Sequence, residues 1–244
     1  MGWHRELLIG FDLETTGTDP REARIVTAAV IEVREGEPVG HREWLADPGV
    51  EIPPDAVAVH GISNERAAAE GSPADRVADA VADVLAGYWK AGVPVVAYNA
   101  AFDLTLLSAE LRRHGLPSLS DRLGGAAPGP VIDPYTIDRQ VDRYRRGKRT
   151  LEAVCSEYGI VLDAAHDASA DALAAARLAG AIAGRHAKVA ALGPAELHRR
   201  QIEWYAAWAA DFQAFLRRKG DTAAVVDGTW PLRQPSALRC SPTA

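Results

Sequence analysis

Ile9-Gly10-Phe11-Asp12-Leu13-Glu14-Thr15-Thr16-Gly17 is the stretch around which the rest of the chain is organised. It reads as a buried strand ending in two carboxylates. Asp12 and Glu14 are two residues apart, so on a strand both side chains point to one face. Thr16-Gly17 then ends the strand with turn residues. Two acids on one face at the end of an apolar strand repel each other, and a bound cation is the simplest way to keep them together. That reading calls for more carboxylates and a base elsewhere in the chain.

Working outward, Leu7 to Leu13, Ile25 to Val33 and His41 to Leu45 read as three strands with short connections, an antiparallel meander. The Pro53-Pro54 segment reads as a loop, and Ser63 as the cap of a following helix. Ser72-Pro73 opens a helix that carries Val77, Val81, Val84, Leu85 and Tyr88 at helical spacing. Val93 to Tyr98 is a short buried strand, and Asn99 caps the next helix, whose inner face holds Leu104, Leu107 and Leu111. Residues 118–130 read as a loop and Val131 to Asp133 as a fifth strand. Helices are expected from Thr136, from Thr150, from about Ala170 to Ala183, and from Pro194 to Arg218 as one helix or two. The whole predicts an α/β fold, a mixed five-stranded sheet flanked by helices.

The 244 residues are 48% hydrophobic, enough for a sizeable core, and the net charge of −6 argues against passive binding to long duplex nucleic acid. Cys155 and Cys240 fit no metal spacing and read as free thiols of a reducing compartment. No stretch has the pattern of a signal peptide or membrane span, so the expected location is cytoplasmic.

Two further acids meet the requirement set by Asp12 and Glu14. Asp103 falls four residues after Asn99, near the start of a helix leaving a buried strand. Asp171 falls five residues after His166, at the start of another. Four carboxylates at element ends can hold two divalent cations, Mg²⁺ or Mn²⁺. Such a pair activates water and neutralises the leaving oxygen of a phosphodiester, and His166 can take the proton from the attacking water. Each residue also has a plainer reading: a solvated turn pair for Asp12 and Glu14, a helix-start acid for Asp103, a loop histidine for His166. Asp167 and Ser169 read as capping residues.

Three motifs, Phe11-Asp12-Leu13-Glu14-Thr15-Thr16-Gly17, Asn99-Ala100-Ala101-Phe102-Asp103 and His166-Asp167-Ala168-Ser169-Ala170-Asp171, give the chain a clear resemblance. It resembles the DEDDh branch of the DEDD superfamily of 3′–5′ exonucleases, which includes the proofreading epsilon subunit of bacterial DNA polymerase III. The resemblance spans residues 7–183. It implies an RNase H-like fold and two-metal hydrolysis from a 3′ end, releasing nucleoside 5′-monophosphates. Asp12, Glu14, Asp103 and Asp171 are then the metal ligands and His166 the general base. Thr15, Phe102, His60 and Asn99 form the expected substrate-binding set. Many relatives have a histidine where this chain has Tyr98. The expected substrate is single-stranded or frayed DNA. The alternatives are RNA or short oligoribonucleotides, and a non-catalytic nucleic-acid-binding or scaffold protein on the same fold.

Outside the motifs, Arg143, Arg145, Arg146, Lys148 and Arg149 form a basic run. It reads either as a solvated face or as a phosphate-contacting rim with Tyr144 stacking beside it. Trp204, Trp208, Phe212 and Phe215 recur at helical spacing. That stripe either packs on the catalytic domain or serves self-association or a DNA polymerase partner. The expected organisation is an exonuclease domain over residues 1–185, a helical extension over 186–220 and a mostly irregular tail over 221–244. The length leaves little room for extra domains, so a stand-alone enzyme is expected.

Overall fold

The computed structural model describes residues 2–162 and 165–233. After a 3₁₀ turn at Trp3–Arg5, the strands are β1 (Leu7–Thr15), β2 (Ile25–Arg34) and β3 (Glu37–Asp47). Then come α1 (Pro54–His60), α2 (Asn64–Glu70), β4 (Ser72–Pro73), α3 (Ala74–Lys90), β5 (Val95–Val96) and α4 (Ala100–Arg113). The chain continues through α5 (Leu119–Arg122), β6 (Val131–Ile132), α6 (Pro134–Val141), α7 (Leu151–Tyr158), α8 (Ala168–Arg185), α9 (Ala187–Ala190) and α10 (Pro194–Arg218). The sheet order is β4-β3-β2-β1-β5-β6.

β1, β2 and β3 pair antiparallel, as the meander predicts, while β1–β5, β5–β6 and β3–β4 pair parallel. The five expected strands are present, and the sheet gains a sixth. Ser72–Pro73 does not begin α3 but pairs with Ala46 and Asp47. Proline there lies on an edge, where its missing N–H costs no ladder bond. Pro53-Pro54 is not a loop. Pro54 occupies the first turn of α1, where a proline fits the helix because its N–H would be unpaired anyway. Ser63 and Thr150 cap their helices as expected, accepting from the N–H of Arg66 and Ala153.

The alternation along β1 sorts its side chains. Ile9, Phe11 and Leu13 pack with Val77, Val81 and Leu85 of α3 and Leu104 and Leu107 of α4 on one face. On the other, Leu8 joins Val154 of α7 and Leu178 and Ile182 of α8. Helices thus cover both faces.

α10 is a single helix, and it closes the β6 edge with side chains. The Gln201 amide donates to the Val131 carbonyl (3.0 Å) and accepts the Asp133 N–H (2.7 Å), while His198 Nδ1 accepts the Val131 N–H (3.0 Å). Residues 221–233 hold no helix or strand; the rest of the expected tail, including Cys240, lies outside the described residues. Cys155 is a buried free thiol, and among the described residues no helix is long and apolar enough to cross a membrane.

Candidate active site

Gly10, Asp12 and Glu14 share the face of β1 that meets α8, and the strand is irregular between Glu14 and Thr15, where its register against β2 shifts. Such bulges re-aim side chains at strand ends. α8 approaches β1 so closely that a Cβ on Gly10 would lie 2.3 Å from the carbonyl oxygen of Ala172. Only glycine permits this approach, and it brings the first turn of α8, with Asp171, over the end of β1. Asp167 caps that helix, accepting the Ala170 N–H at 2.9 Å. His166 precedes the cap in a left-handed conformation (φ 66°), and its N–H donates to Asp171 Oδ2 at 3.3 Å. Potential ligand atoms of Glu14, His166 and Asp171 all lie within 4.8 Å of one another.

Asp103 reaches the same place from the opposite layer. It is 3% exposed in the first turn of α4, and its carboxylate accepts its own N–H and that of Leu13. Asn99 occupies the N-cap position in a left-handed conformation, but its side chain makes no capping bond. Its backbone N–H instead donates to Asp133 Oδ1 at 2.9 Å. Asp133 is fully buried and also accepts from the Tyr135 N–H (3.0 Å), the Thr136 hydroxyl (2.9 Å) and the Trp230 indole (3.3 Å). This carboxylate fixes the turn that launches Asp103, and sequence reasoning passed over it. The available signal was an acid closing an apolar strand just before Pro134.

Crowding shows in the electrostatics. Burial, then the charges of Asp103, Asp171, Glu14 and Asp167, push the Asp12 carboxyl well above the usual range. Asp103 is pushed up by burial, with Asp133 and Glu14 adding and its two backbone hydrogen bonds opposing. Glu14 rises to about 8 through burial and the neighbouring Asp171 and Asp167. Asp171 rises to about 6 through burial, against the pull of the His166 N–H and ring. Asp171 Oδ1 is buried with no hydrogen-bond partner among the described residues. Clustered hard oxygen donors, mutual repulsion and an orphaned carboxylate oxygen fit a divalent cation.

Beside the carboxylates lies a cleft of ≈ 380 Å³ whose wall includes Glu14, His60, Ile62, Arg66, His166 and Asp167. His60 ends α1 and accepts the Ile62 N–H on Nδ1 at 3.1 Å. Burial, with His166 nearby, holds its imidazole below the ordinary value against the opposing Thr15 carbonyl. The Thr15 hydroxyl donates to the Gly17 carbonyl at 2.8 Å, which ties down the turn. Phe102 is half-buried, one side against the core. Arg66, which the motifs did not single out, adds a guanidinium to the wall and is held by Glu70 at 3.2 Å.

A mixed sheet with helices on both faces and acids gathered at the end of its first strand is an RNase H-like α/β architecture. Within that class the chain belongs to the exonuclease family (RNase_T), whose model matches residues 9–179. It is 25% identical over 181 residues to a PolC-type DNA polymerase III of Lacticaseibacillus paracasei, a match covering 73% of this chain and 11% of the polymerase. The chain therefore spans about a tenth of such relatives. It is 27% identical over 179 residues to the DNA polymerase III subunit epsilon of Treponema pallidum, covering 73% of this chain and 77% of that subunit. In fold it is similar to E. coli Exonuclease I in complex with a dT13 oligonucleotide, with a TM-score of 0.61, 20% identity, and coverage of 75% of this chain and 42% of that one. It is also similar to Exonuclease X in complex with 5′ overhanging duplex DNA, with a TM-score of 0.53, 20% identity, and coverage of 80% and 99%.

Proposed function

We propose that this protein is a metal-dependent 3′–5′ exonuclease that removes nucleoside 5′-monophosphates from the 3′ end of single-stranded or frayed DNA. The observation that carries the reading is the meeting of Asp12, Glu14, Asp103, Asp171 and His166, drawn from three distant segments, at one end of β1. Asp12, Glu14, Asp103 and Asp171 would hold two Mg²⁺ or Mn²⁺ ions, which when bound supply a Lewis acid for the scissile phosphate and lower the pKa of water. His166 takes the proton of the attacking water. Its exposed place before α8 leaves the ring free to reach that water, while its backbone is tied to Asp171. Thr15 and Asn99 shape the turns beside the terminal nucleotide, Phe102 offers a ring face to its base, and His60 lines the neighbouring wall. Residues 1–185 form the catalytic unit in this reading, and 186–220 extend it.

The test is a gel time course with 5′-labelled single-stranded DNA and RNA of one sequence, in Mg²⁺ or Mn²⁺. EDTA and His166→Ala serve as controls. A ladder shortening from the 3′ end of DNA, abolished by both controls, is expected. Shortening of RNA alone would move the function to RNA trimming. No shortening by a folded protein would refute the nuclease reading.

A further inference from the structure

A second feature begins one residue before the turn that launches Asp103. Tyr98, just before Asn99, donates its hydroxyl to the Arg149 carbonyl (2.7 Å) and packs on Tyr135, ring centroids 5.3 Å apart. From Tyr135 a continuous ladder runs outward between α6 and α10. The Arg139 guanidinium lies 4.0 Å from the Tyr135 ring centroid and 3.8 Å from that of Trp208. Trp208 stacks near-parallel with Phe212 (5.5 Å, 14°), and Phe212 with Phe215 (6.3 Å, 14°). Two adjoining cavities of ≈ 430 Å³ and ≈ 530 Å³ follow this ladder and share Arg139, Arg143 and Trp208 in their walls. The inner part of the α10 aromatic surface does pack on the domain, since Tyr205 is buried. The outer part does not: Phe212 is 38% and Phe215 44% exposed.

The charges along the groove fall into two kinds. Arg145 and Arg149 are both held by the buried Asp138, so this part of the basic run is structural. Arg143 pairs with Asp211 at 2.5 Å, but both side chains are 62% exposed, and such a surface pair yields easily to another anion. Lys148, on the rim, is exposed and in no ion pair among the described residues. Arg139 lies in the groove wall between two aromatic rings, with no carboxylate at ion-pair distance among the described residues. In a chain of net charge −6 this strip is locally basic. A partner helix would favour a groove core depleted of charge. Ring faces interleaved with cations are what single strands require, bases for the rings and phosphates for the cations.

Building on the exonuclease reading, we infer that this groove is the track for the strand 5′ to the terminal nucleotide. Bases lie on the exposed Phe212 and Phe215, phosphates reach Arg143 and Lys148, and Arg139 packed on Trp208 forms the floor between them. The seven-residue step from Trp208 to Phe215 covers about 10 Å of helix, roughly three stacked nucleotides at about 3.4 Å each.

The experiment compares a 5′-labelled thymidylate trimer with a dodecamer on the full chain. Affinity is read by anisotropy in EDTA and turnover in Mg²⁺. The dodecamer is expected to bind at least about thirtyfold tighter than the trimer, at the stacking value of a base or more. Phe212→Ala with Phe215→Ala should cut that ratio about tenfold. Arg143→Gln with Lys148→Gln should lower the salt slope of dodecamer binding by roughly 1.4, about 0.7 for each single-strand phosphate that is no longer neutralised. All four positions are surface-exposed, and melting curves confirm that each variant is folded. Turnover with a length ratio near one, or a ratio that neither pair of changes moves, overturns the track and leaves the exonuclease reading standing. A strong length ratio without turnover of either oligonucleotide keeps the track and refutes the exonuclease reading. A wild-type dimer in sedimentation that the phenylalanine changes dissolve, with the ratio unaltered, overturns the track in favour of self-association.

Discussion

Glu14→Gln should stabilise the metal-free protein at alkaline pH and leave it unchanged in acid. The Glu14 carboxyl stands at about 8 in the folded chain against an ordinary 4.5. Below the ordinary value both folded and unfolded chains keep the proton, and nothing is lost. As the pH rises towards 8 the unfolded chain releases a proton that the native state retains, so stability falls until Glu14 ionises in the fold as well. The full displacement corresponds to about 5 kcal/mol at about 1.36 kcal/mol for each unit. Glu14 is only half-buried and solvent screens part of its field, so we take roughly 2 kcal/mol. For a chain of this size that is roughly 4–8 °C in Tm. Glutamine keeps the shape and removes the charge, so the wild type should melt lower than the variant by that interval at about pH 8.5 in EDTA, and level with it at about pH 4. Saturating Mg²⁺ should erase or invert the difference, because the cation then neutralises the cluster and favours the ligand-bearing chain. Thermal melts by circular dichroism in the four conditions give the answer. Equal melting temperatures at alkaline pH in EDTA would refute the charge-crowding argument, and so would a gap that widens with Mg²⁺.

Three further outcomes follow from the site. His166→Asn should lower single-turnover hydrolysis by about 10²–10⁴, with oligonucleotide affinity retained; asparagine tolerates the left-handed backbone at φ 66°, so the fold should survive. Asp133→Ala leaves four donors without their acceptor, which should cost about 3 kcal/mol in denaturant unfolding and lower turnover, because the turn ahead of Asp103 loses its anchor. Gly10→Ala places a methyl 2.3 Å from a backbone oxygen, and the shift it forces should cost about 2 kcal/mol and weaken Mg²⁺ binding measured by calorimetry.

The fold could be read where one local rule decides. Alternation in β1 predicts both its core face and its acid face, and apolar β-branched runs locate β2 and β3. The caps at Ser63 and Thr150 follow from side-chain chemistry alone. What escaped depends on distant partners. Ser72–Pro73 becomes a strand only because Ala46 and Asp47 lie alongside it. Asn99 looks like a helix cap by residue type, but its geometry is dictated by Asp133, thirty-four positions later. At the site, spacing identifies the acids, while the closeness of α8 depends on Gly10, which carries no functional group and has no visible signature in one sequence. The basic run reads as uniform along the chain and divides only in three dimensions, where Asp138 claims Arg145 and Arg149 and leaves Lys148 exposed.

The side chains of α10 that meet β6 bear on how this protein behaves at high concentration. His198 and Gln201 occupy backbone groups that a neighbouring strand would otherwise claim, so one border of the sheet is disguised as already paired. At the other border, β4 is two residues long and ends in proline. Beyond Ala46 and Asp47 the outer edge of β3 has no strand partner among the described residues, and it is the exposed charges of Glu37, Arg42 and Glu43 that discourage a neighbouring strand there. A chain cut before Pro194 would uncover the β6 margin, and its first failure should be sticking to other copies of itself.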